Sequence, residues 1–354
     1  MKQRSHAFDL LCGICIVRMI TQHVVSACGY ESTPIWTDVY QWTFYFMSFF
    51  FLKAGYFNKT IVGNTPAFLS DKTRRLLVPY FAWGAIGTLV YFSFVLFVFP
   101  PNHANVKSLE WKHLWETAGF WGNPPLWFLF SFYLSYVVAH FINKMPSRPL
   151  FTTRWGTVRL SALWLVLAFP FVSSLFSNDK TPLYFCSGNI FMGVFLFEAG
   201  RLWRRFMDAN SRTVTLLMSI LLLVAFVVIN VGWPCLYTMS NNTWDGPWLL
   251  VTLSVLCAVC GLSGFFLSIN TPRIPVLGYF GEHSMVYFVS HYLVILLYRF
   301  TRSAFNHSIS KHEDDFLIIL ATCFIFSTML VPLVERTPLL SGRYKEKKSR
   351  LWIV

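Results

Sequence analysis

The chain is 354 residues long, with hydrophobic residues at 55%, aromatics at 19% and charged residues at only 13%. Ordinary soluble domains carry nearly twice that charged fraction, so the composition excludes a water-soluble protein and requires lipid as solvent. Twenty-nine Lys and Arg against 16 Asp and Glu give a net charge of +13. These basic residues sit in short clusters between long apolar runs, so they report membrane orientation, with the bilayer as partner and no nucleic acid.

A helix needs roughly 20 apolar residues to cross the hydrocarbon, because every backbone polar group must be satisfied within the segment. In chain order such spans fall near 7–28, 38–57, 76–99, 125–143, 157–176, 184–201, 213–234, 246–268, 281–299 and 315–334. The expectation is an all-α polytopic protein with about ten transmembrane helices. The first stretch lacks a convincing small-residue cleavage site and is expected to stay as the first membrane helix. Residues 1–337 read as one transmembrane unit and 338–354 as a basic tail.

Alternating the sides of the connections tests this independently of hydropathy. One side holds Lys2, Arg4, Lys59, Lys72, Arg74, Arg75, Lys144, Arg148, Arg154, Arg159, Arg201, Arg204, Arg205, Arg212, Arg273, Arg336 and the tail from Arg343 to Arg350. The other holds Lys107, Lys112, Lys180, Arg299, Arg302 and Lys311. Roughly 21 against 6 puts both termini in the cytoplasm. On the external side, 100–125 is rich in Trp and carries His103 and His113; it reads either as a cap over a site or as an interfacial aromatic belt. The sequons Asn241-Asn242-Thr243 and Asn306-His307-Ser308 also fall outside. No internal repeat is evident.

Strongly polar side chains within spans are costly in lipid, so each is a candidate site residue. The first span carries Asp9, Arg18, Gln22 and His23, the second Gln41 and Lys53, the sixth Asn189 and Glu198, the ninth Ser284, Tyr287, Ser290 and His291. Helical phase puts Cys12 and His23 within about 20° of one another, and Asp9 about 40° from His23 but roughly 20 Å away along the axis. Asp9, Cys12, Gly13, Ile16, Ile20 and His23 thus form one stripe, while Arg18 lies about 140° round. Ser284, Tyr287 and His291 follow i, i+3, i+7 and form a second stripe, equally readable as an interhelical hydrogen-bond network. Cys257 and Cys260 have the spacing of a metal or redox pair but lie mid-span without a second pair, so packing is the expectation and no metal is assigned.

Several separated segments resemble the membrane acyltransferase-3 family, the bacterial integral-membrane O-acyltransferases related to sugar and polysaccharide O-acetylases. They are Phe8-Asp9-Leu10-Leu11-Cys12-Gly13-Ile14 with His23, then Phe49-Phe50-Phe51-Leu52-Lys53-Ala54-Gly55-Tyr56-Phe57, and Arg74-Arg75-Leu76-Leu77-Val78-Pro79-Tyr80. Leu126-Trp127-Phe128-Leu129 and Gly281-Glu282-His283-Ser284-Met285-Val286-Tyr287 through His291 complete the series. The resemblance implies a multi-pass protein of the bacterial cytoplasmic membrane that moves an acyl group, acetyl for preference, from acyl-CoA to a sugar hydroxyl. It implies no permanently bound cofactor.

Family members carry Arg or Lys eleven residues before the first-span histidine, and both groups are implicated in acyl transfer; here His23 matches the histidine and Cys12 replaces the base. Where the family's second-span run ends in Ser-Gly-Tyr, this chain reads Lys53-Ala54-Gly55-Tyr56, and Phe46 stands where a His is frequent. Lys53 and Arg18 are the candidates to supply the missing positive charge. His23, with pKa near working pH, suits a general base. Asp9 is grouped with His23 as a catalytic candidate, placed at the cytoplasmic mouth, while Arg18, Lys53, Arg75, Trp127, Ser284, Tyr287 and His291 are assigned to acyl-CoA or acceptor. A transporter or glycan flippase is the rival reading, although the matched broken-helix repeats of many transporters are not evident in the sequence.

Overall fold

In a computed structural model, residues 5–58, 64–98, 114–144, 149–153, 156–177, 183–269, 271–304 and 313–343 are described. Lys2, Arg4, Lys59, His103, Lys107, Lys112, His113, Arg148, Arg154, Lys180, Lys311, the sequon at 306–308 and the tail beyond 343 lie outside them.

The fold is a helical bundle with two small antiparallel hairpins, β1 (Pro149–Thr153) with β2 (Gly156–Arg159) and β3 (Leu236–Thr238) with β4 (Thr243–Asp245). Seven segments among the described residues are long and apolar enough to cross a membrane: His6–Ala27, Thr65–Phe94, Pro124–Lys144, Arg212–Gly232, Trp248–Ser268, Ser284–Thr301 and Asp315–Arg336. They answer to the runs near 7–28, 76–99, 125–143, 213–234, 246–268, 281–299 and 315–334. The first helix, α1 (His6–Ala27), is mostly buried and lies at the centre of the bundle.

The remaining three runs take less regular forms. The run 38–57 divides into α2 (Pro34–Thr43) and α3 (Phe46–Phe57), separated at Phe44 and Tyr45. Twelve residues of α3 reach only about 18 Å, well short of a ~30 Å hydrocarbon core. In 157–176 the chain is still in β2 at its start, and the apolar helix among the fully described residues is Val166–Leu175. The run 184–201 becomes a 22-residue helix, Gly188–Ala209, which carries Glu198 at its middle and Arg201, Arg204 and Arg205 in its second half.

Glycines let helices meet backbone to backbone. A Cβ at Gly55 would lie 1.7 Å from the Phe197 carbonyl oxygen and one at Gly200 2.1 Å from that of Leu52, which clamps α3 to Gly188–Ala209. Gly13 and Gly281 do the same between α1 and the short helix Pro275–Glu282, against the carbonyls of Leu277 and Asp9. Small residues are what permit such close crossings in lipid.

The run 281–299 also begins with a break, at His283, between Pro275–Glu282 and Ser284–Ala304. The His283 imidazole holds the Glu335 carboxylate through Nδ1 at 2.8 Å, which ties the break to the last long helix, Glu313–Arg336. Beyond that helix, 338–343 docks back onto the bundle: the Trp83 indole donates to the Leu340 carbonyl at 3.0 Å, and Arg343 pairs with Glu335.

Candidate active site

His23 sits one turn from the C-terminal end of α1, and its ring borders a cavity of about 540 Å³. Three regions distant in sequence supply most of the other walls: α2, the break after it and the first residue of α3 (Trp36, Thr37, Tyr40, Phe44, Phe46), the start of the fourth apolar run (Pro125, Trp127), and the end of β3 with the turn that follows (Tyr237 to Asn241). Gln22, Ser26 and Glu31 add polar groups to the same lining. The turn is held against α2 by a 2.6 Å hydrogen bond between the Tyr40 and Thr238 hydroxyls. Its base is fixed by buried Asn242, whose amide donates to the carbonyls of Ser173 and Phe176 at 3.0 and 2.8 Å. Asn123, also buried, donates to the Val289 carbonyl at 2.7 Å and so sets the approach of Pro125 and Trp127. Aromatic faces alternating with amides and hydroxyls suit a ligand that presents both C–H surface and many hydroxyls.

Behind His23 lies His291, with ring centroids 5.1 Å apart, and the Tyr292 ring meets His23 edge-on at 5.8 Å. His291 is fully buried and takes no part in the cavity lining.

Arg18, 8% exposed, lies beside the break between α2 and α3. Its Nε donates to the Thr43 hydroxyl and its Nη1 to Gln22 Oε1 at 3.0 Å. The guanidinium rests 5.4 Å from the Tyr40 ring centre and 5.0 Å from that of Phe46, one on each side of the break. With Gln22 Oε1 taken by Arg18, the Gln22 amide nitrogen is left as the donor on the cavity wall.

Other candidates lie elsewhere. The Lys53 ammonium donates to the Cys12 thiol at 2.9 Å. Eleven residues below His23, this pair is about 16 Å away along the helix axis. Asp9 is buried near the start of α1, where Pro275–Glu282 crosses. Arg75 is exposed and paired with Asp71 at 2.6 Å across one helical turn. Tyr287 is fully buried with its hydroxyl 2.6 Å from Thr328 Oγ1, so it faces Glu313–Arg336. Ser284 opens the helix Ser284–Ala304 and is half-buried. The structure therefore brings His23, Trp127 and His291 to one place, with Arg18 one side chain removed. Lys53 and Asp9 lie towards the opposite end of α1. Cys257 and Cys260 are buried free thiols.

Tyr40, Trp36 and Tyr237 were not singled out by sequence, and Asn241 only as part of an external sequon. Their only signal as site residues was the cluster of polar and aromatic residues in two short connections, which is common at any membrane interface.

A multi-pass helical bundle with a histidine on the wall of a cavity is the architecture of a membrane protein with an enzyme-like site. Residues 5–334 match the acyltransferase-3 family, described as an acyltransferase domain. The chain belongs to that family and is a membrane acyltransferase by this membership. No curated protein and no solved structure matches it.

Proposed function

We propose that the chain is an O-acyltransferase which carries an acyl group, acetyl for preference, from cytosolic acyl-CoA to a sugar hydroxyl of a lipid-linked or cell-surface glycan. In this reading it crosses the bacterial cytoplasmic membrane ten times, with both termini inside. The observation that carries the proposal is His23 on the wall of a cavity lined by Trp36, Tyr40, Trp127 and Tyr237 together with Gln22, Thr238 and Asn241. Aromatic faces fit the C–H faces of a pyranose, and the amides and hydroxyls fit its hydroxyls.

His23 takes the proton of the acceptor hydroxyl as its oxygen attacks the thioester carbonyl. The tetrahedral intermediate then collapses, the carbon–sulfur bond breaks, and His23 passes the proton it holds to the departing CoA sulfur, which restores the free base. The developing oxyanion needs a fixed donor, and the Gln22 amide, polarised by Arg18 behind it, is suited to that task. At the other end of α1, Lys53 and the basic residues Lys72, Arg74 and Arg75 suit the phosphates of the donor. The pantetheine arm would then cover the distance between Lys53 and His23.

The test uses purified protein in lipid nanodiscs with radiolabelled acetyl-CoA and a set of methyl hexopyranosides as acceptors. Transfer to a glycoside by the native chain, reduced 10²- to 10⁴-fold in His23→Ala, is expected for loss of a general base. Equal transfer by both would remove His23 from the chemistry. The divided helix beside the cavity favours a second reading, a transporter, since transporters build sites from discontinuous helices. Movement of intact glycoside across a liposome wall without labelling would support that one.

A further inference from the structure

The proposed base stands beside a second imidazole whose protonation is fixed by its own backbone. His291 Nδ1 lies 3.0 Å from the Tyr287 carbonyl oxygen and 2.9 Å from that of Phe288. A ring nitrogen facing two carbonyl acceptors must carry hydrogen, so in the neutral ring Nε2 is the bare lone pair. That Nε2 is buried and has no hydrogen-bond partner among the described residues. An unmatched acceptor in a dry interior is costly, which makes such an atom a marker of function.

The nearest ring is His23, 5.1 Å between centroids and tilted by 34°. His23 itself has one nitrogen to accept a substrate proton and one to donate. We infer that His291 is a positioning residue for the acyl transfer: its Nε2 accepts the N–H of His23 as the site closes on substrate, which fixes the His23 tautomer and leaves the other nitrogen bare for the acceptor hydroxyl. Proton accounting is unchanged by this step. The hydroxyl proton passes to the bare nitrogen of His23 and then to the departing CoA sulfur, while the hydrogen bond to His291 spreads the transient positive charge.

The surroundings leave this role to His291. Arg18 on the same helix lies on another face, with Nε on Thr43 and Nη1 on Gln22, and a guanidinium carries donors only, so it offers no acceptor to His23. Glu31, after α1, and Tyr40, on α2, line the cavity, Tyr40 with its hydroxyl bound to Thr238. From the helix Ser284–Ala304, Tyr292 meets His23 edge-on, and Arg299 lies further along. None of these contacts supplies a hydrogen-bond acceptor to the back of the His23 ring. His291 is locked in turn, because its own carbonyl accepts from the Cys323 thiol at 3.6 Å, with Ser290 and Ser327 bonded at 2.7 Å alongside.

This inference rests on His23 as the base, and the experiment separates the two. Native protein, His23→Ala, His291→Asn and His291→Phe are compared in nanodiscs by acetyl transfer to methyl hexopyranosides. Asn keeps an N–H for the helix carbonyls but is too short to reach His23, and Phe fills the space without any acceptor. Both His291 variants are expected to lose kcat on the order of ten- to a hundredfold, less than the 10²–10⁴ of removing the base, with KM for donor and acceptor within about twofold. His291→Ala with added imidazole is expected to regain part of the lost kcat, a rescue that a packing role would not give. Native kcat in His291→Asn, or loss of kcat that imidazole fails to restore in a folded His291→Ala, would overturn the inference while a silent His23→Ala still upheld the base.

Discussion

Gly281 tests whether the separation between α1 and the helices that carry His291 matters to chemistry. A Cβ there would lie 1.7 Å from the Asp9 carbonyl oxygen, whereas real contacts of this kind stay above 3.0 Å, so Gly281→Ala must push the two helices apart by at least 1.3 Å. The obstacle is backbone on both sides, so no side chain can rotate away. Overpacking of this kind costs about 1–3 kcal/mol. Misplacement of a catalytic group by about 1 Å can cost on the order of a hundredfold in rate. Gly278 lies on the same short helix, and a Cβ there meets nothing within 4 Å. Thermal unfolding in nanodiscs and acetyl transfer should therefore separate the pair: Gly281→Ala less stable and about a hundredfold slower, Gly278→Ala as stable as native or more so and within twofold in rate. Native behaviour of Gly281→Ala, or equal damage from both, would refute the geometry.

Lys53→Met removes the ammonium from Cys12; under the proposed placement of the acyl-CoA phosphates at Lys53, loss of one charge-assisted bond, about 1.5–3 kcal/mol, should raise KM for acetyl-CoA about ten- to a hundredfold while KM for the glycoside stays put. Tyr287→Phe deletes the hydroxyl bonded to Thr328 and should cost about 0.5–1.5 kcal/mol of stability, read as a lower unfolding temperature, with transfer kinetics unchanged. Arg18→Lys keeps the charge but not the fork that reaches Thr43 and Gln22 together, and should lower kcat about tenfold in a folded protein, measured in the same transfer assay.

The regular parts of the bundle were legible because hydropathy alone determines them. The runs near 213–234, 246–268 and 315–334 became Arg212–Gly232, Trp248–Ser268 and Glu313–Arg336 within a few residues. The break between α2 and α3 was not legible. No Pro or Gly stands at Phe44 and Tyr45, and the group lodged beside them is Arg18, on another helix. The start of Ser284–Ala304 was missed for a similar reason: His283 is held by Glu335, 52 positions on.

At the site, His23 and His291 stood out as histidines in apolar runs, but helical phase gives the facing of each helix and says nothing of which helices touch. Their ring contact, and the use of Tyr237 to Asn241 as a wall, depend on packing between segments that no local pattern reports. The Lys53–Cys12 contact is a different case. The resemblance showed a basic residue replaced at Cys12 and named Lys53 as a possible substitute, and the structure brings the two side chains together at 2.9 Å.

The account's central claim is that donor and acceptor meet at His23 from opposite faces of one bundle. Sealed liposomes carrying the protein, with radiolabelled acetyl-CoA outside and a methyl glycoside trapped inside, test it most directly. Labelled glycoside should form in the lumen with the native chain and fall at least about a hundredfold with His23→Ala. Label that appears only when donor and acceptor share one side, or that forms equally without the imidazole, would contradict it.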